Sequence, residues 1–170
     1  MVLVNKVLNI LRSMDGIETV LYESPYFANI KIDRKPAPYG ILYLIAVAEL
    51  DLTNNLKETA EMEVFFADTV QFGADGMTQQ TIIDKMMDLA KEFVALLKAD
   101  KTVVIDDNIR MVSSYAKFDK NVTGVSIQFT IRERQSKCLD SIEPEQRVLK
   151  ITANGEYEVT QIGKIIVNVE

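Results

Sequence analysis

Residues Thr78–Leu97 read TQQTIIDKMMDLAKEFVALL, and the remaining segments of the chain can be placed around them. Their apolar side chains recur three, four and seven positions apart, and charged side chains fill most of the other positions. This spacing predicts an amphipathic helix with a wide apolar stripe, formed by Ile82, Ile83, Met86, Met87, Ala90, Phe93, Val94 and Leu97. Thr78 or Thr81 is predicted to cap the first turn, and Lys98 suits the negative C-terminal end. Strand-like segments stand on both sides, so we expect this helix to pack across a sheet that they form.

A second amphipathic helix is predicted over Val2–Met14, with Gly16 placed to end it. Segments that alternate or are rich in β-branched and aromatic residues predict strands at Ile17–Tyr22, Ala28–Asp33, Ile41–Leu52, Ala60–Val70, Thr102–Ile105, Ile109–Phe118 and Val122–Arg134. Two prolines and a glycine make Arg34–Gly40 a loop or a wide hairpin turn. We therefore predict the α+β class, with a mainly antiparallel β-sheet packed by two amphipathic helices. The predicted order is α-β-β-β-α-β-β with room for one extra short strand, so it accommodates five or six of these seven segments.

Composition divides the chain into an α+β domain over residues 1–135, a linker over 136–147 and a small β-module over 148–170. The linker is polar, contains Pro144 and shows no apolar period. In the module, Asn154-Gly155 is a strong hairpin signal between two alternating segments, and Ile165–Val169 can add a third strand. Because so small a β-unit buries little by itself, we expect it to dock on the main domain or on a neighbouring subunit.

The bulk composition is that of a soluble globular protein, with 48% hydrophobic and 26% charged residues in a chain of 170. A net charge of −6 argues against a nucleic-acid-binding surface, since such surfaces neutralise phosphates with Lys and Arg. Cys138 is the only cysteine, which excludes an intrachain disulfide and favours a reducing compartment. The sequence shows neither a signal peptide nor an apolar run of the roughly 20 residues that span a bilayer. We therefore expect a protein made and kept in a cytoplasm, without membrane contact.

The chain contains no histidine, which removes the commonest general base and the commonest metal ligand. Ser-His-Asp and Cys-His catalysis and ordinary zinc sites are therefore excluded. Glu61 and Glu63 fall on one strand face and could act as paired carboxylates, but a solvated face explains them better. Cys138 lies in a polar segment without a candidate base, so an inert thiol is the better interpretation.

Two loops carry residue types that bind ions. Asp106-Asp107-Asn108 offers oxygen ligands but lacks the spacing and the glycine of a calcium loop, so a turn explains it better. Gly73 and Gly76 before the long helix weakly suggest an anion site, although no P-loop or dinucleotide pattern is present. We predict no cofactor and no metal. Arg132 and Arg134 end the clearest strand on its polar side, where they either protect a sheet edge or contact another subunit.

Several runs of the chain together form a wider pattern: PYGILY at Pro38–Tyr43, EVFFAD at Glu63–Asp68, IID at Ile82–Asp84, FVALL at Phe93–Leu97, Phe118-Asp119, and Thr123–Val125 leading into the strand that ends near Arg132, then Cys138 and Pro144. Over residues 1–145 or so, this pattern resembles the neck and tail-completion proteins of tailed bacteriophages and prophages, namely tail terminators and head–tail connector rings. The C-terminal runs LKIT, NGEYEVT and VNV are similar to a small β-module often appended to phage structural proteins. The pattern consists of hydrophobic and turn residues and includes no catalytic motif.

The resemblance implies a small α+β structural protein, without catalytic residues, that forms a homo-oligomeric ring where the tail meets the head. From the resemblance we expect a hexamer or dodecamer and contacts with portal, connector and tail-tube proteins. We also expect DNA to pass through without sequence-specific binding. The protein would then be made in the bacterial host cytoplasm and reside in the virion. For subunit or partner contacts we predict Arg34, Lys35, Tyr39, Phe72, Arg132 and Arg134. Two other hypotheses stay open: an adaptor or binding module of another phage-tail-like assembly, and an enzyme that uses carboxylates or a backbone anion site.

Overall fold

The computed structural model describes residues 2–44, 47–51, 57–117, 121–134, 147–151 and 157–161. These residues form three helices and nine strands, in the order α1 (Val2–Ser13), β1 (Thr19–Glu23), α2 (Pro25–Ile32), β2 (Tyr39–Tyr43), β3 (Val47–Asp51), β4 (Lys57–Thr69), α3 (Gly76–Ala99), β5 (Val103–Ile105), β6 (Arg110–Lys117), β7 (Val122–Glu133), β8 (Arg147–Ile151) and β9 (Tyr157–Gln161). They belong to two compact units, Met1–Gln135 and Ser136–Glu170.

The first unit is built on a seven-stranded sheet whose central pair is β4 and β7. These two strands are antiparallel and stay in register from Thr59↔Arg132 to Thr69↔Val122. The strand order is β1-β2-β4-β7-β5, with β3 also paired to β4 and β6 also paired to β7. Only the β1–β2 pairing is parallel among the described strands. The α+β class and the mainly antiparallel sheet predicted from the sequence are therefore confirmed. The predicted order α-β-β-β-α-β-β is wrong, because the first unit has the order α-β-α-β-β-β-α-β-β-β.

Two apolar cores lie on opposite faces of this sheet. Because successive side chains of a strand alternate between faces, β4 supplies both cores. Met62, Val64 and Phe66 belong to the larger core, which α1 and α3 cover. Phe65 and Ala67 belong to the smaller core, which α2 covers. The smaller core stops at Phe65, so the same face of β4 continues at Glu63 and Glu61 without helical cover.

The strand predicted over Ala28–Asp33 is wrong, because these residues lie in α2 and in the turn that follows it. Ser24 is the N-cap, with its side chain accepting a hydrogen bond from the backbone of Phe27, and Pro25 occupies the first turn. Both residues favour helix initiation. Ala28 and Ile32 are buried one helical turn apart, which anchors α2 on the sheet. The prediction failed because Ile30 and Ile32 alternate with polar residues, although Ile30 points to solvent.

Of the two alternatives predicted for Arg34–Gly40, a loop is present up to Pro38, and the hairpin turn is wrong because α2 makes this segment the end of a crossover. β1 and β2 consequently run parallel, with Thr19 opposite Tyr39 and Glu23 opposite Tyr43. The long strand predicted over Ile41–Leu52 is present as β2 and β3, both antiparallel to β4. Leu42 pairs with Val64, and Val47 pairs with Glu61. Between these two pairs the chain advances five residues along β2 and β3 but only three along β4, so the β2–β3 side has two residues more.

Both predicted amphipathic helices are present as α1 and α3, and Gly16 after α1 has the expected left-handed φ of 86°. The predicted cap of α3 is wrong. The N-cap is Asp75, whose Oδ1 accepts a hydrogen bond of 2.8 Å from the backbone N–H of Thr78. Thr81 instead donates its hydroxyl to the carbonyl oxygen of Met77 one turn earlier. A carboxylate is the stronger cap here because it also complements the positive end of the helix dipole.

We predict that Asp75→Ala lowers the Tm of the protein at pH 7. Hydrogen bonds from Thr78 hold the pKa of Asp75 below its ordinary value. Stabilisation from a carboxylate with a lowered folded pKa is present above the unfolded pKa, about 4, and is lost as the pH falls through the folded pKa. The Tm difference between wild type and variant should therefore shrink below about pH 4. Thermal unfolding followed by circular dichroism across pH 2.5–7 measures it.

The matched control for this prediction is Asp88→Ala, which removes an exposed carboxylate from the middle of α3. Among the described residues, Asp88 forms an ion pair with Lys91 alone, three residues on, at 2.9 Å. Exposed pairs of this kind contribute little to stability. An Asp75→Ala variant that unfolds like Asp88→Ala at pH 7 would contradict the capping role.

The second unit contains the antiparallel pair β8 and β9, in register from Arg147↔Gln161 to Ile151↔Tyr157. The predicted turn at Asn154-Gly155, the third strand at Ile165–Val169 and residues 136–146 of the predicted linker lie outside the described residues.

Candidate interaction surfaces

The open edge of the sheet at β6 carries exposed apolar side chains. Among the described strands β6 pairs only with β7, from Arg110↔Gln128 onward, with an irregularity between Ser114 and Lys117. Met111, Val112 and Tyr115 are exposed, Tyr115 by 55%. An edge strand presents unpaired backbone N–H and C=O groups, and protein sequences usually protect such edges with charge. Here the middle of the strand, MVSSYA, carries no charged residue.

The outer side of α2 forms a second apolar surface. Tyr26, Phe27 and Ile30 are exposed by 70%, 54% and 50%. They are neighbours on the helix, since Ile30 follows Tyr26 by four residues and Phe27 by three. The rings of Tyr26 and Phe27 touch edge to face, with centroids 5.4 Å apart. The contact holds both rings at the surface, where a partner could cover them.

A groove of about 500 Å³ opens where α2 leaves the sheet uncovered. Its floor crosses from β4 to β7, and its walls come from the start of α2, the end of β2 and the loop before β6. The lining residues are Pro25, Tyr43, Leu44, Glu61, Met62, Glu63, Asn108, Gln128, Phe129 and Thr130. None of these ten residues carries a positive charge, and two carry a negative charge. The groove is therefore acidic.

The carboxylate of Glu63 is held by its cross-strand neighbour. Gln128, directly opposite in β7, donates its side-chain N–H to Oε2 of Glu63 at 3.0 Å. Burial, and next the charge of Glu63, raise the pKa of the Tyr43 hydroxyl above its ordinary value. Among the described residues neither Glu61 nor Glu63 forms an ion pair. A positive group that entered the groove would meet two negative charges that no cation of the described residues pairs with.

The structure distributes the predicted contact residues over separate places. Arg34 and Lys35 are exposed in the turn after α2. Phe72, in the loop after β4, is 94% exposed. Arg132 and Arg134 lie at the other end of the β4–β7 pair, about 30 Å from Phe72 by strand rise. The guanidinium of Arg132 is bound to the Asp106 carboxylate at 2.7 Å.

The side chain of Tyr39 is fully buried, so it is not available for a surface contact. Its hydroxyl donates to the backbone carbonyl oxygen of Lys35 at 2.9 Å and lies 3.3 Å from that of Ile32. These bonds connect the end of α2 to the start of β2. Tyr39 thus holds the Arg34–Lys35 turn in place instead of contacting a partner itself.

The candidate ion-binding loops from the sequence have structural roles instead. Asp106 binds Arg132, and Asp107 lies 3.7 Å from the Lys98 ammonium, so these two carboxylates face cations of the same chain. The α3 N-terminus near Gly73 and Gly76 is occupied by the Asp75 carboxylate, whose negative charge disfavours an anion there. Cys138 lies outside the described residues. Within the part of the chain that the structure describes, no three acidic or cysteine side chains cluster as a metal site.

Sequence reasoning missed both apolar surfaces. The signal at α2 was Ser24-Pro25 followed by two aromatic residues, and at β6 it was a strand pattern without charge in its centre. No helix among the described residues is long and apolar enough to cross a bilayer. No protein-family model matches this chain, and no curated protein matches it.

Proposed function

We propose that this protein is a structural component of a tailed-phage neck or tail that assembles into a ring through head-to-tail contacts between copies. The open β6 edge carries the assembly part of this proposal. The resemblance of residues 1–145 to tail terminators and head–tail connectors carries the placement in the neck or tail. No enzymatic step is part of the proposed role.

The two sides of the sheet differ in a way that suits heterologous contacts. One side ends in β6 and β5, and the other in β1 and β3. A contact between unlike surfaces leaves one free copy of each on every new complex, so assembly continues until a ring closes. Pairing between β6 of one copy and an edge strand of the next would extend the sheet from subunit to subunit. The apolar side chains of Met111, Val112 and Tyr115 would then be covered.

In this role the ring would contact portal, connector or tail-tube proteins on its two open faces. DNA would pass through the central channel without sequence-specific binding. The net charge of −6 suits such a channel, because an acidic wall does not retain phosphates. The protein would be made in the bacterial host cytoplasm and incorporated into the virion.

The primary test is negative-stain electron microscopy over a concentration series, with light scattering for the mass. Closed rings with a central hole support the proposal and give the number of subunits. A monomer at every concentration favours the second candidate function, an adaptor of another phage-tail-like assembly. The same open edge supports that candidate, since a strand from a different protein could pair with β6.

We predict that Met111→Lys combined with Tyr115→Lys weakens ring assembly by at least about tenfold in concentration, because each new ammonium must be desolvated at the contact. Both side chains are exposed, so the monomer should keep its circular dichroism spectrum and Tm. Light scattering over the concentration series measures the shift.

The matched control is Phe72→Lys combined with Met77→Lys, which makes the same chemical change at two exposed residues near the start of α3. If this control loses its rings while the β6 variant keeps them, the contact surface lies at the Phe72 loop and the role of β6 is contradicted.

A further inference from the structure

Two surfaces of opposite charge occur on the same side of the sheet. The acidic groove contains Glu61 and Glu63 near the N-terminal end of α2, where Pro25 forms part of its wall. The turn after the C-terminal end of α2 carries the exposed residues Arg34 and Lys35. α2 has eight residues, so its two ends are about 12 Å apart. The groove and the turn are therefore separate surfaces.

Their placement across the sheet is also opposed. The groove crosses from β4 to β7 and reaches Asn108, just before the open β6 edge. The turn lies beside β1, where the carbonyl oxygen of Pro38 accepts the backbone N–H of Thr19. The groove thus adjoins the β6 side of the molecule, and the turn adjoins its β1 side. A copy placed next to the β6 edge would approach with its β1 side.

We propose, resting on the proposed ring, that the Arg34–Lys35 turn of one copy docks in the Glu61–Glu63 groove of the next copy. Two positive side chains would enter a groove that, within the described part of the chain, is lined by two carboxylates and by no cation. Arg34 forms no ion pair with any described residue of its own chain. The charges therefore favour docking of the neighbouring copy through its Arg34–Lys35 turn. Docking through the neighbour's own acidic groove would bring like charges together and is disfavoured.

The local structure holds both partners of this contact in place. The Gln128 amide fixes Glu63, while Glu61 stays exposed in front of it. Tyr39 fixes the backbone of the turn through Lys35. Two cations stand near the groove in register, Arg110 opposite Gln128 in β6 and Arg132 two residues after Thr130 in β7. Among the described residues neither lines the groove or forms an ion pair with Glu61 or Glu63, and Arg132 binds Asp106 instead. Fixed partner groups reduce the entropy lost on docking.

The test uses two charge-reversal variants of the full chain. The groove variant carries Glu61→Lys and Glu63→Lys, and the turn variant carries Arg34→Glu and Lys35→Glu. Each alone should raise the concentration for half-assembly at least about tenfold, because like charges then meet at every contact. Mixed in equal amounts, the two should assemble again, since every contact in an alternating ring pairs opposite charges.

Recovery on mixing separates a contact from a folding defect, which a second variant cannot repair. Glu61→Gln combined with Glu63→Gln keeps the side-chain shape and should give a smaller loss in the same direction. The control Asp84→Lys with Glu92→Lys makes the same charge change on the exposed side of α3 and should assemble like wild type.

The outcomes distinguish this contact from the proposed function itself. If both reversal variants form rings as the wild type does, the proposed contact is overturned and the ring proposal stands. The same holds if the two variants fail to assemble when they are mixed. A wild-type chain that is monomeric at every concentration overturns both.

Discussion

Gly124→Ala is expected to unfold the first unit or to lower its free energy of unfolding by about 3 kcal/mol or more. A Cβ at this position would lie 1.9 Å from the backbone oxygen of Phe66 and 2.7 Å from the Cα of Ala67. Both atoms belong to the backbone of β4, which pairs with Gly124 at the centre of the sheet. Neither can rotate away as a side chain would, so β4 and β7 would have to separate locally.

Denaturant unfolding followed by circular dichroism measures this loss, and the soluble yield reports a complete failure to fold. Gly76→Ala is the matched control, because a Cβ there meets no atom within 4 Å. Gly76 is the first residue of α3, where Ala has the higher helix propensity and restricts the unfolded chain more. We expect its stability to rise by up to about 1 kcal/mol. Equal stabilities of the two variants would show that the close approach at Gly124 is not a constraint.

The elements with a long apolar period could be predicted from the sequence. α3 covers the predicted stretch, and five of its stripe residues, Ile83, Met86, Ala90, Phe93 and Leu97, are buried. In β7, Val125, Ile127, Phe129 and Ile131 alternate as predicted and face the larger core. A wide apolar stripe has one way to avoid water, so local pattern and final packing agree. The α+β class followed from these elements.

α2 could not be recognised by the same means. A helix of eight residues offers only two turns, and this one is apolar on both its buried and its exposed sides. No amphipathic period results, and the alternation of Ile30 and Ile32 imitates a strand. The capping signal Ser24-Pro25 is present in the sequence, shortly before the segment predicted as a strand. Missing α2 also hid the parallel pairing of β1 and β2, because a crossover is what makes two successive strands parallel.

The candidate contact surfaces depend on pairing that a single sequence does not specify. The sequence placed Glu61 and Glu63 on one strand face, but Gln128 and Thr130 join them only through the β4–β7 register. Phe65 and Ala67 continue the same face, and α2 divides it into a buried half and an open acidic half. Tyr39 looked like a loop aromatic beside Arg34 and Lys35, and only the fold shows that it is buried. The position and the exposure of these candidate contact residues therefore depend on tertiary contacts.

Because of the same tertiary packing, we expect Phe93→Ala to lower the free energy of unfolding by about 3–5 kcal/mol. Phe93 is fully buried on α3, and its ring centroid lies 5.6 Å from that of Phe66 in β4 and 5.9 Å from that of Phe129 in β7. Truncation removes the apolar contacts and leaves a cavity between the helix and the two central strands. Since whole domains are stable by only about 5–15 kcal/mol, the loss is a large share of the total. Denaturant unfolding at fixed temperature measures it.

Leu96→Ala provides the matched control, because Leu96 lies in the same helical turn but is exposed by 38%. Its truncation forms no enclosed cavity, so we expect a loss of about 1 kcal/mol or less. Phe93→Leu should fall between the two, because it keeps most of the buried volume and loses the ring contacts. If Phe93→Ala and Leu96→Ala cost the same, α3 would not be held by this aromatic cluster.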